Sequence, residues 1–214
     1  MSSLQYNCIM KLGIFGGANP SSDRKLDIIG DKMGELLAKQ KIEVILGCNT
    51  QSVMGKIYQH YFKNNLPNTL VIPKIYSDEI PKLKENEKKA GIIGNCTIIQ
   101  TGSIQQRTEK ILELSDSILV MPGGIGTAYE FLTAIENSRT HEKPLDKIII
   151  LNWEGYWDSL LDQIDFIIKQ GFTKQDKGIS RYRDIQEHNL FFVANTAKEV
   201  IKILKETRGK TVDF

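Results

Sequence analysis

The chain of 214 residues is poor in the side chains that build extracellular and metal-held domains. Its three cysteines, Cys8, Cys48 and Cys96, are an odd number and show no Cys-x-x-Cys spacing. Such thiols suit a reducing compartment and exclude a disulfide framework. Its three histidines, His60, His141 and His188, are equally dispersed, with no His-x-x-x-His pair, so no metal site is expected. No sign of charge dominates: 28 basic against 26 acidic side chains leave +2 at neutral pH, and the basic residues are scattered. Binding to a nucleic-acid polymer needs a clustered basic face, which is missing. No run approaches the ~18 apolar residues of a membrane span. Residues 1–10 have no long apolar stretch behind a basic start, unlike a signal peptide. The expectation is a cytoplasmic protein with no membrane partner.

What is present is a regular alternation. Short apolar runs recur at Lys11–Phe15, Ile42–Leu46, Thr69–Ile72, Thr97–Gln100, Ser117–Met121, Ile148–Leu151 and Phe191–Ala194. Several are β-branched at successive positions, as in Ile148-Ile149-Ile150, and this suits strands buried on both faces, the habit of parallel sheets. Between them, Leu26, Ile29, Met33, Leu36 and Leu37 form a helical stripe. Trp157, Leu160, Leu161, Ile164, Ile167 and Ile168 form another, and Val200, Ile203 and Leu204 a third. Strand and helix alternate throughout, which predicts an α/β fold: a Rossmann-like, doubly wound parallel sheet in a single domain over residues 1–214. Residues 205–214 are polar and aperiodic and are expected to fray. The charged stretch Lys74–Ala90 contains Pro81 and suits a solvated loop with a short helix, or a flap over a site.

In open α/β sheets ligands sit beyond the carboxyl ends of strands. Three strand ends here carry glycine turns: Gly16-Gly17-Ala18-Asn19, Gly47-Cys48-Asn49-Thr50, and Pro122-Gly123-Gly124-Ile125-Gly126-Thr127. The third is the strongest. Gly123, Gly124 and Gly126 remove side chains that would hold a ligand off the backbone and permit positive φ. A helix opening at Thr127 would offer free N–H groups and a favourable dipole to an anion, phosphate above all. The spacing is neither Gly-x-Gly-x-x-Gly nor that of a P-loop, so hydride transfer and ATP hydrolysis lack their signatures. A structural alternative stays open, because Thr127-x-x-Glu130 is also a capping box. Likewise Arg107, beside Glu109 and Lys110 on a predicted helix, suits an ordinary surface charge.

Taken together, these residues resemble a known family. Pro122-Gly123-Gly124-Ile125-Gly126-Thr127-Ala128-Tyr129-Glu130 is similar to the Pro-Gly-Gly-x-Gly-Thr-x-x-Glu motif of the LOG ("Lonely Guy") family. Ile104-Gln105-Gln106-Arg107-Thr108 is similar to its Met-x-x-Arg-Lys helix start. Lys143-Pro144, the stretch Leu151-Asn152-Trp153-Glu154-Gly155-Tyr156-Trp157-Asp158-Ser159-Leu160-Leu161, and Gly171-Phe172 also resemble it. The sequence departs from the family at the first two glycine turns, at Thr108, where the family has lysine, and at Tyr129, where it has the first of two glutamates. The resemblance implies a cytokinin riboside 5′-monophosphate phosphoribohydrolase: an N-glycosidase that releases free base and ribose 5-phosphate from a cytokinin or AMP-like nucleotide. It further implies catalysis by Arg107 and Glu130, nucleotide binding by Gly123, Gly124, Gly126, Thr127, Gly17 and Asn19, and a homodimer without cofactor. The lysine decarboxylase label often given to the family lacks support here, because no lysine sits in a strand-end turn fit for a pyridoxal Schiff base. The rival class is a non-catalytic nucleotide-binding or sensing module of the same fold.

Overall fold

The computed structural model describes residues 10–18, 23–47, 52–89, 95–140, 142, 145–172, 179–181 and 190–206. All seven apolar runs are strands: β1 (Lys11–Phe15), β2 (Glu43–Gly47), β3 (Asn68–Pro73), β4 (Cys96–Thr101), β5 (Ser117–Val120), β6 (Lys147–Leu151) and, at the far end, Phe191–Ala194. An eighth strand, unforeseen in the sequence, is Ile179–Arg181, so that segment is β7 and Phe191–Ala194 is β8. The sheet order is β4-β3-β2-β1-β5-β6-β8-β7, and every neighbouring pair is parallel. The chain runs outward from β1 to β4, returns, and runs outward again from β5. The order reverses between β1 and β5, which pair with Gly13 against Ile118 and Phe15 against Val120. Parallel pairing forces crossover connections, and helices lie in those that follow β1 to β6.

Among the described residues, seven α-helices cover the two faces: α1 (Arg24–Lys39), α2 (Ser52–Lys63), α3 (Glu79–Lys89), α4 (Ile104–Leu114), α5 (Ile125–Arg139), α6 (Asp158–Lys169) and α7 (Ala197–Lys205). One core joins α1, α2 and α7, with Leu83 of α3, to Leu12, Ile14, Val44 and Leu46 of the sheet. The opposite core joins α4, α5 and α6 to Phe15, Ile45, Ile118 and Val120. Strand side chains alternate between the two, so Ile14 and Phe15 face different helices, as the period of two requires. Of the stripes read in the sequence, Ile29, Met33 and Leu37 are fully buried, whereas Ile167 is 39% exposed at the edge of its helix.

Lys74–Ala90 is more helical than a loop with a short helix. A 3-10 turn over Lys74–Tyr76 leads into α3, 11 residues long, most of whose described side chains are exposed. Pro81 is tolerated because it lies in the first turn, where its missing N–H has no intrahelical partner to lose. No helix among the described residues is long and apolar enough to cross a membrane. Cys8, Cys48, His141, His188, Lys143 and Pro144 lie outside the described residues, as does the tail from 207 to 214.

Candidate active site

The strand order reverses between β1 and β5, the place where open α/β sheets form a crevice, and both carboxyl ends carry glycine turns. The turns are tied together: Gly17 N–H donates to the Pro122 carbonyl at 2.9 Å. Gly123 is required by this closeness. A Cβ there would overlap the Thr127 hydroxyl and stand 2.7 Å from the Gly17 nitrogen. The expected positive φ is not used, since the described glycines with positive φ are Gly155 and Gly171. The turn needs glycine for approach rather than for handedness.

The start of α5 corrects the sequence expectation. The helix opens at Ile125, with Gly124 as N-cap at φ −89°, ψ −162°, and Gly124 makes no side-chain cap bond. Thr127 is therefore the third helical residue, not the cap, and Glu130 does not reach back to close a capping box. The first-turn N–H groups have no intrahelical acceptor. No partner for the Gly124–Thr127 amides is found among the described residues. Open space adjoins them, for a Cβ at Gly124 or at Gly126 would meet nothing within 4 Å. No acidic side chain occupies the first turn. The result is a positive helix end, uncapped and accessible, of the kind that holds anions.

Glu130 turns inward instead. Its Oε1 accepts from Arg107 Nη2 at 2.6 Å, and the two side chains are only 6% and 16% exposed. Arg107 is thus no solvated surface charge. It comes from the first turns of α4, its Nη1 lies against Gly47 at the end of β2, and its buried Nε has no partner among the described residues. Burial pushes the Glu130 carboxyl above the ordinary carboxylate range, and the charge and hydrogen bond of Arg107 pull the other way without cancelling it. A raised carboxylate held beside a cation is a chemically poised group.

The structure therefore brings together Gly17, Gly123, Gly124, Gly126, Thr127, Arg107 and Glu130 at one strand-end crevice; Asn19 lies outside the described residues. Sequence reasoning missed the contribution of Tyr156, whose hydroxyl donates to the Gly123 carbonyl at 2.7 Å. The signal was the Gly155-Tyr156 pair in the stretch following β6. On α5, Phe131 and Ile135 are buried in the core, and Leu132 is 45% exposed. Thr108 is fully buried, its hydroxyl donating to the Ile104 carbonyl at 3.2 Å.

Fold and site together define a Rossmann-like α/β domain whose topological switch point carries an uncapped helix start beside a buried Arg–Glu pair. A family model described as "possible lysine decarboxylase" matches residues 54–204, more than half of the sequence, and the chain belongs to that family, the LOG family. The chain is 25% identical over 206 residues to the cytokinin riboside 5′-monophosphate phosphoribohydrolase LOG3 of Arabidopsis thaliana, covering 95% of this chain and 86% of that protein. It is 27% identical over 161 residues to the enzyme of the same name from Rhodococcoides fascians, covering 74% and 76%. In fold it is similar to the molybdenum cofactor binding protein of Rippkaea orientalis (TM-score 0.58, 18% identity, 92% and 95% covered). It is also similar to the molybdenum cofactor carrier protein of Chlamydomonas reinhardtii (TM-score 0.60, 14% identity, 92% and 96% covered). Lys25, on the first turn of α1, is 62% exposed and paired with Glu154 at 2.8 Å, which does not fit a buried Schiff-base lysine.

Proposed function

We propose that the protein hydrolyses the N-glycosidic bond of a nucleoside 5′-monophosphate, a cytokinin or AMP-like nucleotide, releasing free base and ribose 5-phosphate. The observation that carries this is the buried Arg107–Glu130 pair beside the uncapped start of α5. The 5′-phosphate accepts the amides of Gly124 to Thr127, and Arg107, always protonated, binds phosphate or ribose through its remaining donors. Glu130 faces the anomeric carbon. As the C–N bond breaks and its electron pair leaves with the base, positive charge develops on the sugar and the carboxylate offsets it. Glu130 also takes a proton from the attacking water, whose oxygen bonds to the anomeric carbon. Overall, water supplies hydroxyl to the sugar and a proton to the base.

The test is chromatographic: purified protein with a panel of nucleoside 5′-monophosphates and the matching nucleosides. Base should appear from monophosphates and not from nucleosides. Glu130→Gln should lower turnover by about 10²- to 10⁴-fold with binding retained, the range for loss of a general base. A second reading, a nucleotide-binding or carrying module, is favoured by one observation, the buried Thr108 at the position of the family's lysine. The solved structures named for carriage of a molybdenum cofactor share the fold with it. Binding without base release from any member of the panel would select this reading and overturn the hydrolase. The dispersed cysteines support a cytoplasmic site of action. Ile125, Tyr129 and Leu132, exposed at helical spacing on α5, support a homodimer through that face, and a monomer in sedimentation would refute it.

A further inference from the structure

The stretch after β6 takes no part in the proposed chemistry, yet it reaches the cradle. Asn152, buried at the end of β6, bonds in two directions: its amide donates to Asp158 Oδ1 and its carbonyl accepts from Trp157 N–H, both at 2.8 Å. Gly155 stands at φ +76°, and a Cβ there would lie 2.5 Å from Asp158 Oδ2, so only glycine fits. Glu154 before it is also left-handed, at φ 49°, ψ 32°, and its carboxylate is held by Lys25. This turn delivers the Tyr156 hydroxyl to the Gly123 carbonyl, 33 residues away in sequence, while the ring packs edge-on against Trp157 at 5.0 Å.

The consequence follows from peptide geometry. In a trans peptide the C=O and N–H point in opposite directions. Holding the Gly123 carbonyl therefore sets the direction of the Gly124 N–H, one of the amides that open α5 with no partner among the described residues. The preceding peptide is held in the same way, its Pro122 carbonyl accepting from Gly17. Two glycines in succession have no side chain to resist rotation, so an external tether is what keeps the amides convergent. We propose that Tyr156 is a positioning residue for the phosphate, acting through the Gly123 carbonyl to aim the Gly124 amide at it. This rests on the turn being a phosphate cradle. A grip equally firm in ground and transition states acts on KM and not on kcat.

Tyr156→Phe in the full chain keeps the ring and removes the tether. The expected result is an affinity for ribose 5-phosphate, measured by calorimetry, lower by about threefold to tenfold, the effect of one neutral hydrogen bond. KM for the nucleoside 5′-monophosphate should rise by the same factor with kcat unchanged, while binding of the phosphate-free nucleoside stays the same. Equal loss for nucleoside and monophosphate would reveal a merely structural role and overturn the inference. Unaltered ribose 5-phosphate affinity would overturn it while leaving the cradle intact. A wild-type protein that does not bind ribose 5-phosphate would overturn both.

Discussion

Helices α4 and α5 begin at the same edge of the sheet and are finished in opposite ways. At α4, Ser103 caps the helix by accepting from Gln106 N–H at 3.1 Å, and the Gln106 side chain accepts from Gly102 N–H at 2.8 Å. A variant of the box expected at Thr127 and Glu130, reaching back to the residue before the cap, is thus built one helix earlier. At α5 the cap is a bare glycine, and the residue expected to close it, Glu130, is held by Arg107 of α4. A self-sealed helix end serves stability. One left unsealed beside a buried Arg–Glu pair leaves its amides to a ligand, the proposed phosphate. The departure from local consistency marks the site.

The contrast can be broken by capping α5. Gly124→Asp has the space it needs, since a Cβ there meets nothing. Its carboxylate would satisfy a first-turn amide and place a negative charge at the proposed phosphate position. Affinity for ribose 5-phosphate should fall by more than about tenfold, while stability rises by a few tenths of a kcal/mol, since Asp exceeds Gly only slightly as a cap. Calorimetry and chemical denaturation of the same variant check the two signs, and a gain in stability with unchanged affinity would show that α5 does not hold the anion.

A smaller effect concerns protons. Burial raises the Glu130 carboxyl and Arg107 restrains that rise. A base must be ionised, and a raised group takes up its proton at higher pH than an ordinary glutamate as the pH falls. The acid limb of kcat/KM should therefore lie above the ordinary carboxylate range. A carbon NMR titration of Glu130 should show the same midpoint, and Arg107→Gln should move it further upward. A midpoint at or below the ordinary range, or a downward move in the variant, would contradict the assigned causes. The smallest effect is at the other helix: Ser103→Ala should cost about 1 kcal/mol of stability in denaturant unfolding, with ribose 5-phosphate affinity unchanged.

Much of the fold was legible because strands buried on both faces leave continuous apolar runs, as Ile148–Leu151 does between the two cores. The three-residue strand Ile179–Arg181 was missed because it lies in a polar segment with no such run. Helix α2 went unread although Val53, Met54, Ile57, Tyr58 and Tyr61 are its buried positions at helical spacing. In the site, Gly123 was legible as a point of close approach, but not the reason for it, which is the Gly17 turn more than a hundred positions earlier.

Periodicity and composition by themselves determined the alternating α/β order, the placing of the turns at strand ends, and the residue types available for chemistry. These depend on which side chains must leave water, a property written along the chain. Only the tertiary structure decided that Arg107 leaves solvent to meet Glu130, that α5 stays uncapped, and that Tyr156 reaches Gly123. Each depends on segments distant in sequence being brought within hydrogen-bonding distance by the parallel crossovers. Local propensity would have chosen otherwise: a threonine cap and a solvated arginine.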